Sequence, residues 1–266
     1  MKYINLGCGP KYSKDKIWVN ADMNAVNADV IECNFINGIA FNDNEFNAVY
    51  HSHVIEHFNK NDAEFFISEC FRILKKDGII RIACPNLEVI AKEYLKNLER
   101  AINEEENGGG DYDWILLEMY DQTVRNKSGG EMLNYFRKDK LANLKYVITR
   151  IGNIAQEWHK SLGGSTEKEE KHFQKTKKEL FLNKFLSTKP INDSANKLME
   201  IGKFRLGGEI HQWMYDRFSL TRLLEKVGFQ DVIVRSATES YIPDWKNYEL
   251  DSTEENASIF IEAKKY

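Results

Sequence analysis

Several groups of residues in this chain have types and spacings suited to chemistry. Near the N-terminus, the alternating apolar run of Tyr3, Ile4 and Leu6 leads into Gly7-Cys8-Gly9-Pro10. That pattern reads as a strand breaking into a tight turn. Glycine there permits positive φ and a close approach to a ligand, because no Cβ intervenes. A second short run over residues 17–21 ends in Asp22. A carboxylate at the end of a second strand suits a ribose diol, since it accepts from both hydroxyls. Further on, His51-Ser52-His53-Val54-Ile55-Glu56-His57 closes another apolar run. Imidazoles at that place could move protons near neutral pH. A last group, His211, Trp213, Tyr215 and Asp216, is polar and aromatic together.

The kind of nucleoside follows from what the first turn lacks. A dinucleotide site wants G-x-G-x-x-G opening a helix whose N-terminus faces the pyrophosphate. Here Tyr12 stands at the third glycine position, and little chain separates Pro10 from the next strand. A turn or two of helix is all that fits. A ligand with ribose and adenine but no phosphate, such as S-adenosylmethionine (SAM), needs no such helix. Asn34 could offer its amide to an adenine edge and Phe35 could pack on its face. A polar turn followed by a core phenylalanine reads the same two residues equally well.

The elements that must position these groups read as an α/β arrangement. Strands are expected over 28–33, 46–51 and 79–84, with a helix over 61–74 carrying Phe65, Phe66, Cys70, Ile73 and Leu74 at helical spacing. Asn61 or Asp62 would cap that helix, and Lys75-Lys76-Asp77-Gly78 would close it. Strand, helix, strand in this rhythm is a βαβ unit and predicts a parallel sheet. From residue 87 the rhythm stops. Leu87, Ile90, Ala91, Tyr94, Leu95 and Leu98 form one amphipathic stripe, and Leu144 to Trp158 form another. Gly108 to Gly110, Gly129-Gly130, Gly163-Gly164 and Gly207-Gly208 read as loops, and 167–189 as a charged helix. Beyond 208, Ser219 would cap a helix ending at Gly228, and strands follow at 229–235 and 259–264. The division expected is therefore 1–86 with 208–266 as the nucleoside-binding domain, and 87–207 as a helical insertion capping an acceptor site.

Bulk properties exclude some function classes. The chain has 266 residues, 29% charged and 42% hydrophobic, with a net charge of -4. Such a balance gives no electrostatic footprint for nucleic acid or anionic membrane. The four cysteines form no metal-binding spacing, and three of them lie in or beside apolar runs, which suits reduced, buried thiols. A chain opening directly on a strand, with no apolar span, is expected in the cytoplasm.

Leu6 to Pro10, Asp22, the His53 to His57 stretch, Leu74 to Gly78 and Gly228-Phe229 together resemble the class I SAM-dependent methyltransferases. The nearest likeness is to small methyltransferases found with polysaccharide biosynthesis genes, which share the H-x-W-M-Y-D stretch seen at His211 to Asp216. The resemblance implies a Rossmann-like sheet, mostly parallel with its last strand antiparallel. It implies that Gly7, Cys8 and Gly9 wrap the amino-acid end of SAM, that Asp22 holds the ribose, and that Met23, Asn34, Phe35, Ser52 and His53 complete the cofactor pocket. Asn34, Asn47 and Asn86 depart from the aspartates usual at their positions. It further implies O-methylation of a carbohydrate, a sugar nucleotide or a related cell-surface precursor, giving S-adenosyl-L-homocysteine. His211, Trp213 and Tyr215 would then lie near the acceptor.

Methyl transfer from a sulfonium is an in-line displacement in which positioning does most of the work. A hydroxyl acceptor is helped by a base, and His53, then His57, are the candidates. No metal is expected to take part. Two other readings compete: a catalytically silent SAM- or nucleotide-binding module, and a zinc hydrolase on the H-x-x-E-H pattern of His53 to His57. The latter needs the motif inside a helix. The exposed face of the insertion could also serve a homodimer.

Overall fold

The computed structural model describes residues 1–25, 27–163, 193–251 and 257–266. The charged helix expected over 167–189 lies outside the described residues.

Period-two alternation builds the sheet. In β1 (Tyr3–Leu6), Ile4 and Leu6 point to one face and Tyr3 to the other. β2 (Trp18–Asp22), β3 (Val30–Glu32), β4 (Phe46–Ser52), β5 (Leu74–Pro85), β6 (Gln230–Arg235) and β7 (Ser258–Lys264) complete a seven-stranded sheet. Its order is β3-β2-β1-β4-β5-β7-β6. β1 to β5 pair in parallel, and β7 runs antiparallel to both β5 and β6. This is the Rossmann-like sheet expected from the sequence, with the last strand reversed. Chain order turns back between β1 and β4, so the strands' carboxyl ends open a crevice there.

Helices cover one face. α1 (Lys60–Ile73) buries Ala63, Phe66, Ile67, Cys70 and Ile73, which share one helical stripe. Leu220 and Leu224 of a later helix, Arg217–Val227, join the same core. Each of the large ones, Phe66, Ile67, Ile73, Leu220 and Leu224, contributes about 1.5–3 kcal/mol by leaving water. On the opposite face Tyr3, Trp18, Tyr50 and Trp245 pack edge to face with centroids 5.0–6.3 Å apart. Beside them Arg81 is fully buried, paired with Asp251 at 2.8 Å and Glu262 at 2.9 Å and stacked on Trp245.

Several expected boundaries move. α1 is capped by Asn59, whose Oδ1 accepts from the N–H groups of Asn61 and Asp62, so neither of those residues is the cap. Lys75 to Gly78 does not close α1. Leu74 is fully buried and pairs with Phe46, which forces the chain extended directly after Ile73. The extra residues before Ile79 form an irregularity in β5, with Asp77 at φ 61°. At the later helix, Asp216 is the cap and Ser219 completes a reciprocal capping box, while Gly228 ends it as expected.

The chain divides into two compact units, residues 1–96, 149–151 and 211–266, and residues 97–148 and 152–210. The first holds the sheet. α2 (Leu87–Ile102) runs from the first into the second. The second unit contains α3 (Gly108–Val124), α4 (Gly130–Phe136), most of α5 (Leu144–Ile151), α6 (Ile154–Leu162) and α7 (Asp193–Arg205). The single stripe expected over 144–158 is broken at Gly152, which takes φ 80°, a conformation other residues enter at a cost. Gly108 to Gly110 open α3 rather than forming a loop. Burial of Trp114 and Ile115 outweighs the poor helix propensity of glycine there. Trp114 packs on Tyr135 and Phe136, both at 5.3 Å, and Asp121 receives the Glu131 N–H at 2.7 Å to start α4. No helix among the described residues is long and apolar enough to cross a membrane.

Candidate functional site

The crevice is built from the turns after β1, β2 and β4. Gly7 and Gly9 take φ 68° and 53°. A Cβ on Gly7 would lie 2.3 Å from Val54 Cγ2, so this glycine lets the first turn pack against the turn after β4. A Cβ on Gly9 would meet nothing within 4 Å, so its backbone faces open space. Asp22 ties the turns together: its Oδ2 accepts from the Gly9 N–H at 2.8 Å and its Oδ1 from the Asn24 N–H at 2.9 Å. Each oxygen retains a second lone pair for a ligand. Met23 beside it is exposed. Cys8 is buried, and burial followed by the Asp22 charge pushes its thiol up to about 11, so it is no nucleophile near neutrality. All four cysteines are free and buried.

At the end of β4, Ser52 is followed by His53 at φ 55°, a left-handed turn that is uncommon for a non-glycine residue. The His53 N–H donates to the Ala83 carbonyl at 2.9 Å, fixing the turn to β5. Its Nδ1 lies 3.1 Å from Glu56 Oε1 and its Nε2 3.3 Å from Ser258 Oγ. Glu56 is fully buried. Burial alone would raise its carboxyl, but His53, and then His211 and His57, hold it down at about 2. The group is therefore a carboxylate that accepts from Nδ1–H, leaving Nε2 as the basic nitrogen. Burial disfavours charge on His53, yet the Glu56 hydrogen bond and charge outweigh it and raise its pKa. The ring remains reachable, with 38% of the side chain exposed.

His57 and His211 stand edge to face with centroids 4.9 Å apart. Donor atoms of Glu56, His57 and His211 all lie within 4.8 Å of one another. The segment carrying His211 is fixed by its backbone: Gln212 N–H and Trp213 N–H both donate to the Glu56 carbonyl, at 2.7 and 3.2 Å. Gln212 Nε2 adds a bond to the His57 carbonyl at 2.9 Å. Trp213 is 40% exposed, with Lys60 Nζ 3.8 Å from its ring centroid.

Two of the residues expected in the pocket are buried and pack in the core. Phe35 is buried with its ring 5.6 Å from Phe66, because the short helix Phe35–Asn37 turns it beneath β3 and α1. Tyr215 is also buried, held by a bridge to Asn86 and by the Leu87 N–H that donates to its carbonyl at 2.9 Å. Asn34 caps the 35–37 turn through Oδ1, which accepts from the Ile36 N–H at 3.1 Å. Asn47 and Asn86, the other departures noted in the sequence, serve the backbone: Asn47 Oδ1 accepts from the Lys2 N–H and Asn86 Oδ1 from the Val89 N–H. The H-x-x-E-H residues lie on a left-handed turn and the short helix Ile55–His57, not within an α-helix. The geometry a zinc-protease motif needs is therefore absent at His53 to His57. Glu56 is the partner of a basic side chain, His53, three residues before it, whereas nothing in the sequence pointed to Ser258.

Residues 11–82 match the family model for a methyltransferase domain. No curated protein matches the chain at a significant level. Among solved structures, a SAM-dependent methyltransferase of Thermotoga maritima overlays with a TM-score of 0.43 at 13% identity, covering 100% of this chain and 82% of the other. One from Archaeoglobus fulgidus gives 0.39 at 12%, covering 99% and 86%. A phosphoethanolamine N-methyltransferase of Haemonchus contortus in complex with SAM gives 0.37 at 10%, covering 100% of this chain and 49% of that one. These overlays are loose, and the strand order itself defines the fold.

Proposed function

We propose that the chain is a SAM-dependent methyltransferase acting on the hydroxyl of a carbohydrate-related small molecule. The observation that carries this reading is the meeting, at the β1/β4 switch point, of the Gly7 to Gly9 turn, Asp22 and the His53–Glu56 pair. The match of residues 11–82 to a methyltransferase domain supports it. The residues fit SAM: the Gly9 backbone faces open space, the Asp22 carboxylate stands at the end of β2, and no long helix follows the turn for a pyrophosphate. Gly7, Cys8 and Gly9 would hold the amino-acid end and Asp22 the ribose, with Met23, Asn34 and Ser52 bordering the nucleoside.

When bound, SAM supplies an electrophilic methyl group on a sulfonium. The chain's own part is to align the acceptor and remove its proton. His53 Nε2 accepts the proton, and Glu56 keeps the ring in the productive tautomer and stabilises the imidazolium formed. Ser258 orients the ring from the other side. His211 and Trp213 are the acceptor-side residues of this proposal. The carbohydrate class rests on the likeness to methyltransferases associated with polysaccharide biosynthesis.

Incubation with SAM and a panel of sugar nucleotides tests it by mass spectrometry. Acceptor gaining one methylene, with S-adenosyl-L-homocysteine released, is expected. Saturable SAM binding with no transfer to any acceptor would favour the silent binding module.

A further inference from the structure

We propose that Glu56, His57 and His211 form a binding site for a first-row divalent transition-metal ion. Two independent observations meet here. The donor atoms of the three residues lie within 4.8 Å of one another, Glu56 and His211 being buried and His57 half-buried. Glu56 is also fully buried, and while its Oε1 is engaged by His53, its Oε2 has no hydrogen-bond partner among the described residues. A buried carboxylate oxygen left unsatisfied is costly, and few native groups are left so. A cation shared with the two neighbouring imidazoles would satisfy it.

The geometry is close to what an ion requires. Nitrogen and oxygen ligands stand about 2.0–2.2 Å from such a metal, so their mutual separations run to about 4 Å. The observed spacing, up to 4.8 Å, would have to tighten by side-chain rotation to reach that range. The scaffold is already rigid, because the three bonds from residues 212–213 to the backbone of residues 56–57 hold His211 against the other two. His53 on Oε1 orients the carboxylate from outside, as outer partners of metal ligands commonly do.

Two imidazoles and one carboxylate prefer zinc, cobalt, iron or manganese to magnesium or calcium, which favour all-oxygen sites. Three protein ligands leave coordination positions open. On the methyltransferase reading, an acceptor hydroxyl could take one of them and lose its proton more readily. Binding of the ion itself does not depend on that reading.

The test uses the full chain after chelator treatment and dialysis. Calorimetric titration with zinc chloride, and visible spectroscopy on addition of cobalt chloride, should show one saturable ion per chain. Magnesium chloride should bind far more weakly. His57→Gln and His211→Gln should each weaken zinc binding at least about tenfold, by analogy with the loss seen when even an outer partner is removed. His159→Gln, in the second unit, should leave it unchanged. Titration of SAM against the same variants reports whether they remain folded, and failure of SAM to bind the wild type would count against the cofactor reading alone. Absence of saturable zinc or cobalt binding, or binding unaltered in both histidine variants, would overturn the site.

Discussion

His53 differs from the chain's other histidines by its setting. It sits on a left-handed turn with Glu56 on one ring nitrogen and Ser258 near the other. Its position after an apolar strand was legible in the sequence. Which basic side chain Glu56 would pair with was not, because a three-residue spacing joins two side chains only once the turn is known. A base must be unprotonated, so turnover should fall as pH drops through the raised His53 pKa and level off above it. His53→Ala should lower turnover by roughly 10²–10⁴-fold, flatten that acid limb and leave SAM affinity within a few fold. Steady-state rates across pH, with parallel SAM titrations, check this. His51 makes the opposite case. It is fully buried with no hydrogen-bond partner on either nitrogen among the described residues, and burial lowers its pKa to about 4. Below about pH 6.5 the unfolded chain takes up a proton there, whereas the folded chain does not until about 4. Stability should therefore fall as pH falls through that window, by up to about 1.4 kcal/mol for each pH unit. Urea unfolding of wild type and His51→Leu from pH 7 to 4 should show the difference shifting toward the variant. Phe35 and Tyr215 show where residue types mislead: an aromatic that can stack on a ligand can equally fill a core.

The strands were readable from alternation and from short apolar runs, and α1 from its stripe. Their ends were harder. Asn59 and Asp216 cap helices two or three residues earlier than the neighbouring Asn61, Asp62 and Ser219 suggested, since several residues close together have capping chemistry and only backbone geometry selects one. The contact of Gly7 with Val54 joins the turn after β1 to the turn after β4, and so sets the crevice's width. Gly7→Ala should cost about 2 kcal/mol or more, combining positive-φ strain with overpacking. In a Val54→Ala background the same change should cost less, because the clashing methyl is gone. A double-mutant cycle by urea unfolding measures the coupling. On the other sheet face, Arg81 collects Asp251, Glu262 and the carbonyls of Ser236, Ala237 and Glu239. Arg81→Met should destabilise by about 3–5 kcal/mol, because two carboxylates would remain buried without their cation. Thermal and urea unfolding would register the loss. That network joins residues far apart in sequence, so nothing local announced it.

At the scale of the whole chain, the sheet order follows from a simple rhythm of strands and crossovers, which is why the fold was legible early. The interruption after β5 was legible as helical. Its internal divisions were not, because glycines both start helices there, as at Gly108, and break them, as at Gly152. The central claim is that SAM binds where the β1, β2 and β4 turns converge. Calorimetric titration of SAM against wild type and Asp22→Ala tests it most directly. Saturable binding of one SAM per wild-type chain is predicted, weakened at least about tenfold in the variant by loss of charge-assisted hydrogen bonds to the ribose. No binding to the wild type, or equal affinity in the two proteins, would contradict the account.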